Sequence, residues 1–252
     1  MSTREEVLIP FNEDQIFLIK DIPRTELKGL IIISHGLTGD RTGPQGLLSK
    51  LSKHLADNGM LVIRFDFRGS GDSTGCFEKT TFTSMLEDVG FVTQWAKKEY
   101  FNCPVGMLGL SIGGVVATLG AIEHKCKALS LLSSDLIENI AFKVNGLVPI
   151  REGQLYLEET FFRERENLYP RTRLLESNIP TKLLYGELDE KVSTAVQSLR
   201  GSNIYIEEVN GVDHLFETTE ARNLINEKLT QFFLKQFKGE KKSERNYFML
   251  NG

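Results

Sequence analysis

The sequence predicts an α/β fold, a mainly parallel sheet with helices on both faces. Three observations predict it. Short apolar runs alternate with stretches of helical periodicity along the chain, which is the signature of βαβ units. Most of these runs are apolar at successive positions rather than at every second one, as in strands buried on both faces. The chain has 252 residues, 40% hydrophobic and 25% charged, which is long enough to bury a core of that kind.

The elements follow in order. Val7–Phe11 and Ile16–Ile19, separated by Asn12-Glu13-Asp14, read as a hairpin and so as an antiparallel edge. Gly29–Ser34 is apolar almost throughout and reads as a buried strand. Pro44 to Asn58 carries leucines at 47, 48, 51 and 55, which is helix spacing, and Gly59 ends it. The alternation continues with a strand at Met60–Phe65, a helix at Phe82–Glu99, a strand at Val105–Leu110 and a helix at Ile112–Glu123. Strands at Ala128–Leu132 and Lys182–Tyr185 follow, then a helix at Val192–Arg200. A strand at Ile204–Val209 and a long helix at Glu217–Phe237 close the fold. Right-handed crossovers between the parallel strands place the helices on both faces. Residues 135–178 break the rhythm, with aromatics mixed among charges. A segment that long inside a compact domain is an insertion or carries function, and it reads as a cap over the C-terminal edge of the sheet. The expected division is a core of residues 1–134 and 179–239, a cap of 135–178 and a flexible polar tail of 240–252.

Composition excludes several functions. The 30 basic and 34 acidic residues give a net charge of -4, and the bases are scattered, so no nucleic-acid partner is expected. No run approaches membrane-spanning length, and the N-terminus lacks the apolar core of a secretory signal. Cys76, Cys103 and Cys126 form no paired set, which suits a reducing, cytoplasmic setting. His124 and Cys126 lie two apart without a second pair, so no metal site is expected. Monomer and homodimer both remain open.

One stretch carries chemistry. Gly109-Leu110-Ser111-Ile112-Gly113 is G-x-S-x-G, a pattern that a chain with 22 glycines produces by chance often enough that context must carry it. Here the serine sits between a buried strand and a helix, the context of a nucleophile on a sharp strand-to-helix turn. Gly109 and Gly113 lack the Cβ that would collide in such a turn. A serine hydroxyl needs a base, and the chain has only four histidines. His54 lies on an amphipathic helix, and His124 is some 20 Å along the helix that begins beside Ser111. His35 directly follows a strand and orders its turn. His214, between the last strand and the last helix, is left as the base. Asp189, just past strand Lys182–Tyr185, is the expected acid partner, with Asp135 and Glu187 as rivals and Asp213 shaping the histidine loop. The order Ser111, Asp189, His214 suits three groups hung from successive strand ends. An oxyanion would meet the backbone N–H groups of Ile112, at the helix start, and of Leu37, in the loop after Gly29–Ser34.

On these residues the chain resembles the α/β-hydrolase superfamily over nearly its whole length. Within it the sequence is similar to compact bacterial serine esterases of the cinnamoyl (feruloyl) type and, more distantly, to monoacylglycerol lipases. The matching stretches are IIISHGLTGD, VIRFDFRGSGDSTG, MLGLSIGG, LLYGELDEKV and GVDHLF. The resemblance implies an eight-stranded sheet, a cap inserted after the sixth strand, and acyl transfer from a small-molecule ester without metal or cofactor. In the second stretch it implies structural roles for Asp66, Gly69, Gly71 and Ser73. Asp40 and Arg41, together with Phe142, Tyr156 and Tyr169 of the cap, are expected to border the substrate. Three other functions remain open: a thioesterase or acyltransferase, an amide-cleaving enzyme gripping a free amine through Glu152, Glu158 and Glu159, and a scaffold that binds without chemistry.

Overall fold

The computed structural model describes residues 1–199 and 203–238. Its centre is formed by four strands whose every residue is buried: β3 (Gly29–Ser34), β4 (Met60–Phe65), β5 (Val105–Leu110) and β6 (Ala128–Leu132). Together with β1 (Thr3–Phe11), β2 (Asp14–Ile22), β9 (Thr181–Gly186) and β10 (Ile204–Val209) they make one eight-stranded sheet in the order β1-β2-β4-β3-β5-β6-β9-β10. Only β2 runs against the others, pairing antiparallel with β1 and with β4.

Each central strand feeds two cores. Leu30 and Ile32 pack on one face of the sheet with α2 (Phe82–Glu99) and α3 (Ile112–Glu123), through Met85, Val89, Val92, Val115 and Val116. Ile31 and Ile33 pack on the other with α1 (Leu47–Asp57) and α7 (Thr219–Phe237), through Leu48, Leu51, Leu55, Ile225 and Leu229. The two-residue period of a strand assigns neighbours to opposite faces, so burial on both faces demands the continuous apolar runs seen in the sequence.

Several bounds differ from expectation. The first hairpin is longer, because Thr3–Glu6 pair with Ile19–Ile22 despite their exposure. At Pro44–Gly46 there is a 3-10 turn rather than the start of a helix; Gln45 and Gly46 adopt left-handed torsions, φ 49° and 74°, and α1 begins only at Leu47. The helix after β9 is α6 (Glu190–Val196), N-capped by Asp189 and shorter than Val192–Arg200. Thr218 caps α7 through the Ala221 N–H. The tail of 240–252 lies outside the described residues.

Between β6 and β9 the chain makes an excursion that propensity did not resolve. β7 (Leu147–Ile150) and β8 (Leu155–Glu158) form their own antiparallel pair, followed by α4 (Glu159–Glu166) and α5 (Pro170–Glu176). It is anchored from below. Phe161 stacks on Phe82 of α2 with ring centroids 4.7 Å apart. The buried Glu138 carboxylate accepts the Thr172 N–H at 2.7 Å and its hydroxyl at 2.8 Å, holding the start of α5.

Candidate active site

Ser111 occupies the single residue between β5 and α3, at φ 54° and ψ −123°. This region of backbone space is costly for a residue with a Cβ. The turn closes because its neighbours have none: a Cβ on Gly109 would overlap the carbonyl of Gly113, and one on Gly113 would overlap the carbonyls of Ser34 and His35. The Ser111 N–H donates to the Leu132 carbonyl at 2.8 Å, fixing the turn to the end of β6.

His214 arrives from the loop after β10. The Leu188 N–H donates to the Val212 carbonyl at 2.9 Å, and the Gly211 N–H donates to the Glu187 carboxylate at 2.8 Å, so the loops after β9 and β10 are stitched together. That stitching places Asp189 beside the ring. His214 Nδ1 lies 2.6 Å from Asp189 Oδ2, and its Nε2 lies 3.0 Å from Ser111 Oγ. The other Asp189 oxygen accepts the Val192 N–H of α6 at 3.4 Å. The carboxylate is buried while the imidazole is 39% exposed, so the ring is held from behind and open in front.

The rivals turn elsewhere. Asp135 faces Lys191 at 2.7 Å and Arg165 at 3.9 Å. Glu187 holds the Gly211 N–H, and Asp213 accepts the Leu215 N–H at 3.0 Å. His35 is buried; its Nδ1–H donates to the Gly36 carbonyl at 2.8 Å and its Nε2 accepts the Phe67 N–H at 3.1 Å. Burial pushes the His35 pKa below its ordinary value, so this ring is a neutral structural brace. Asp66 is equally structural: it accepts the backbone N–H groups of Arg41 at 2.7 Å and Asp72 at 2.9 Å, and Gly71 leaves it room.

Beside Ser111 lies a cavity of about 650 Å³. Ser111, His214, Leu37, Asp40 and Leu215 are among its walls. The Leu37 N–H has no hydrogen-bond partner among the described residues, and the Ile112 N–H stands at the first turn of α3, where no intrahelical acceptor exists. Asp40 lines the cavity but is already engaged by the Thr42 N–H at 2.7 Å and the Thr42 hydroxyl at 2.5 Å. Burial raises the Asp40 pKa, and these bonds bring it below the usual carboxylate range.

Four expected neighbours of the cavity lie outside its lining. Arg41 pairs with Asp66, and with Asp72 at 2.5 Å. Phe142 packs edge-on against Phe162, with centroids 5.2 Å apart. Tyr156 pairs across the hairpin with Pro149, and Tyr169 stands before α5; both rings are more than 40% exposed. Ion pairing withdraws Arg41, local packing holds Phe142, and hairpin register and the helix start place the two tyrosines. In their place stands Arg151, at the tip of the β7–β8 hairpin, whose Nε donates to Thr38 Oγ1 at 2.8 Å.

Comparison with known proteins bears on this arrangement. The structure superposes on Est1E from Butyrivibrio proteoclasticus, in a complex with ferulic acid, with a TM-score of 0.81. The match covers 91% of this chain and 98% of that one at 23% identity, which establishes the shared fold. Residues 25–149 match the family described as Hydrolase_4, serine aminopeptidase, S33. The sheet order and this superposition give the chain the α/β-hydrolase fold. Among sequence relatives, the chain is 38% identical over 98 residues to human Protein ABHD12B, covering 38% of this chain and 26% of that protein. It is 34% identical over 98 residues to rat monoglyceride lipase, covering 38% of this chain and 31% of the lipase. The chain thus spans about a quarter to a third of the length of these relatives. Among its described residues no helix is long and apolar enough to cross a membrane.

Proposed function

We propose that this hydrolase cleaves carboxylic esters of small or medium size through a Ser111–His214–Asp189 triad and an acyl-enzyme. The observation that carries the proposal is the hydrogen-bonded line from Asp189 through His214 to Ser111, with spacings of 2.6 Å and 3.0 Å. His214 Nε2 takes the hydroxyl proton as Ser111 Oγ attacks the ester carbonyl. Asp189 stays ionised and holds the Nδ1–H, so the ring presents its lone pair to the serine. The N–H groups of Leu37 and Ile112 receive the oxyanion, helped by the positive end of α3. His214 then protonates the departing alcohol, and a water activated by the same ring releases the acid. Residues 135–178 act as the cap, and a cavity of about 650 Å³ suits a small-molecule ester.

The serine aminopeptidase family match raises amide cleavage as a second reading. An enzyme of that kind needs an acidic grip on a free amine. Glu152, Glu158 and Glu159 lie outside the cavity lining, and Glu159 is bonded to Arg163 and to the Gly146 N–H. Of the two carboxylates that do line the cavity, Asp40 is held by Thr42 and Asp213 by the Leu215 N–H, which favours the ester. Ser111→Ala is expected to lower kcat on p-nitrophenyl butyrate by roughly 10⁴ or more with an unchanged melting temperature. Retained turnover refutes the nucleophile assignment. Faster turnover of aminoacyl p-nitroanilides than of esters by the unaltered protein favours the second reading.

A further inference from the structure

Among the described residues, Arg151 is the only basic side chain at the wall of the Ser111 cavity besides the His214 ring. Of the four other arginines of the same segment, three have carboxylate partners, Arg163 with Glu159, Arg165 with Asp135 and Arg171 with Glu138, and the fourth, Arg173, lies outside the cavity lining. Arg151 has no carboxylate partner among the described residues. Among those residues its side chain makes one hydrogen bond, from Nε to Thr38 Oγ1, which fixes the stem and leaves both Nη groups without a protein partner there. Those groups form the planar fork that matches a carboxylate or phosphate bidentately.

The two bonded residues are both held in costly backbone. Arg151 has φ 50° and Thr38 has φ 61°, the latter a β-branched residue in the left-handed region. Strain of this kind persists where surrounding structure imposes it, and it gathers at ligand clamps. Thr38 follows Leu37, so the guanidinium is tied to the loop that carries one proposed oxyanion donor. The acidic side chains of the same wall do not cancel the fork by direct pairing, since Asp40 is engaged by Thr42 and Asp213 by the Leu215 N–H.

We propose that Arg151 is a specificity-determining residue that binds an oxyanion substituent of the substrate, so that the preferred esters carry a carboxylate or phosphate away from the scissile bond. The proposal rests on the ester-hydrolase reading above and names the substrate class for that same site. An uncharged ester enters the same cavity but leaves the fork to water. The bonds formed are charge-assisted and lie at a solvent-accessible rim, so they weaken with salt.

Two matched pairs test this and separate the sources of the anion. The monoester of glutaric acid with p-nitrophenol is compared with p-nitrophenyl valerate, and 1-butyrylglycerol 3-phosphate with 1-butyrylglycerol. Arg151→Met is expected to lower kcat/KM for the charged member of at least one pair by roughly ten- to a hundredfold, mainly through KM. The loss on the uncharged member, which reports only the lost tie to Thr38, should be at least about fivefold smaller, and Arg151→Lys should recover part of the difference. Raising NaCl to about 0.5 M should reduce the preference of the unaltered protein for the charged member. Equal losses on both members of each pair, or no loss on either, overturn the proposal and leave Arg151 as a tie between hairpin and loop. If the unaltered protein hydrolyses none of the four compounds, the ester-hydrolase reading fails first and this inference falls with it.

Discussion

Replacing Asp189 by Asn separates the two jobs that this side chain performs. One oxygen accepts the Val192 N–H and caps α6, and the other lies 2.6 Å from His214 Nδ1. Asparagine caps a helix about as well as aspartate. Its carbonyl oxygen can keep the Val192 bond, which turns the amide NH₂ toward the imidazole. His214 must then accept at Nδ1 and carry its proton on Nε2, facing Ser111 with a donor where a base is needed. Forcing the wrong tautomer in a triad costs about 10⁴ in kcat, or roughly 5.5 kcal/mol. The stability cost is much smaller. Losing one negative charge at the start of α6 costs about 0.3–1 kcal/mol, a melting shift of at most about 4 °C for a chain of this size. The assay is kcat on p-nitrophenyl butyrate beside thermal unfolding followed by circular dichroism. Asp135→Asn is the control, because Asp135 faces Lys191 and Arg165 instead of the histidine. An Asp189→Asn protein within about tenfold of normal kcat, with its fold intact, refutes the assignment of the acid.

Gly113→Ala places a methyl group against two backbone carbonyls that belong to β3 and its following turn. No flexible side chain is there to yield, so a loss of about 3 kcal/mol is expected, read as a lower urea midpoint; an unchanged midpoint contradicts the packing described. His35 should make stability pH-dependent. Its folded pKa lies below 6.5 because burial penalises the charged ring, so as pH falls below about 6.5 the unfolded chain binds a proton that the folded chain lacks. The contribution is present above that pH and is lost on acidification, with a limiting slope near 1.4 kcal/mol per pH unit. His124 is shifted the same way, so the quantity to measure is the difference between the unaltered protein and His35→Asn by urea unfolding from about pH 8 to 5.5. Parallel curves would show that His35 carries no such linkage.

The legible parts of the fold were those in which burial dictated composition. β5, α3 and β6 fall on the expected residues, because a strand buried on both faces has no polar position to blur its ends, and the serine with its flanking glycines marks the strand-to-helix boundary. The β7–β8 hairpin was illegible for physical reasons. Its strands have four residues each, Pro149 argues against a strand, and the turn uses Arg151 and Glu152 at φ 50° and 57° before its glycine. α4, Glu-Thr-Phe-Phe-Arg-Glu-Arg-Glu, is mostly charged and gains its place from Phe161 and the buried Arg165 rather than from periodicity. Arg151 was missed for the same reason as the hairpin that carries it: nothing local distinguishes it from a solvated arginine.

Backbone strain ties these observations together. Asn12, Asn102 and Asn139 have positive φ, and asparagine is among the residue types that adopt it most readily. Among the other non-glycine cases, Thr38, Ser111 and Arg151 line the cavity, and Gln45 and Glu152 adjoin lining residues. Ser133 and Leu136 follow β6, and Phe216 follows the histidine loop; Lys125, at the end of α3, stands apart. At roughly 1–3 kcal/mol each, so many unfavourable torsions gathered at the C-terminal ends of the strands need a rigid sheet to impose them, and the two apolar layers supply it. Ser111 announced its strain in the sequence because close packing required glycine on both sides. Thr38 and Arg151 needed no such neighbours, since their strain is imposed by a contact between segments 113 residues apart. That is why one half of the cleft could be read from a motif and the other only from coordinates.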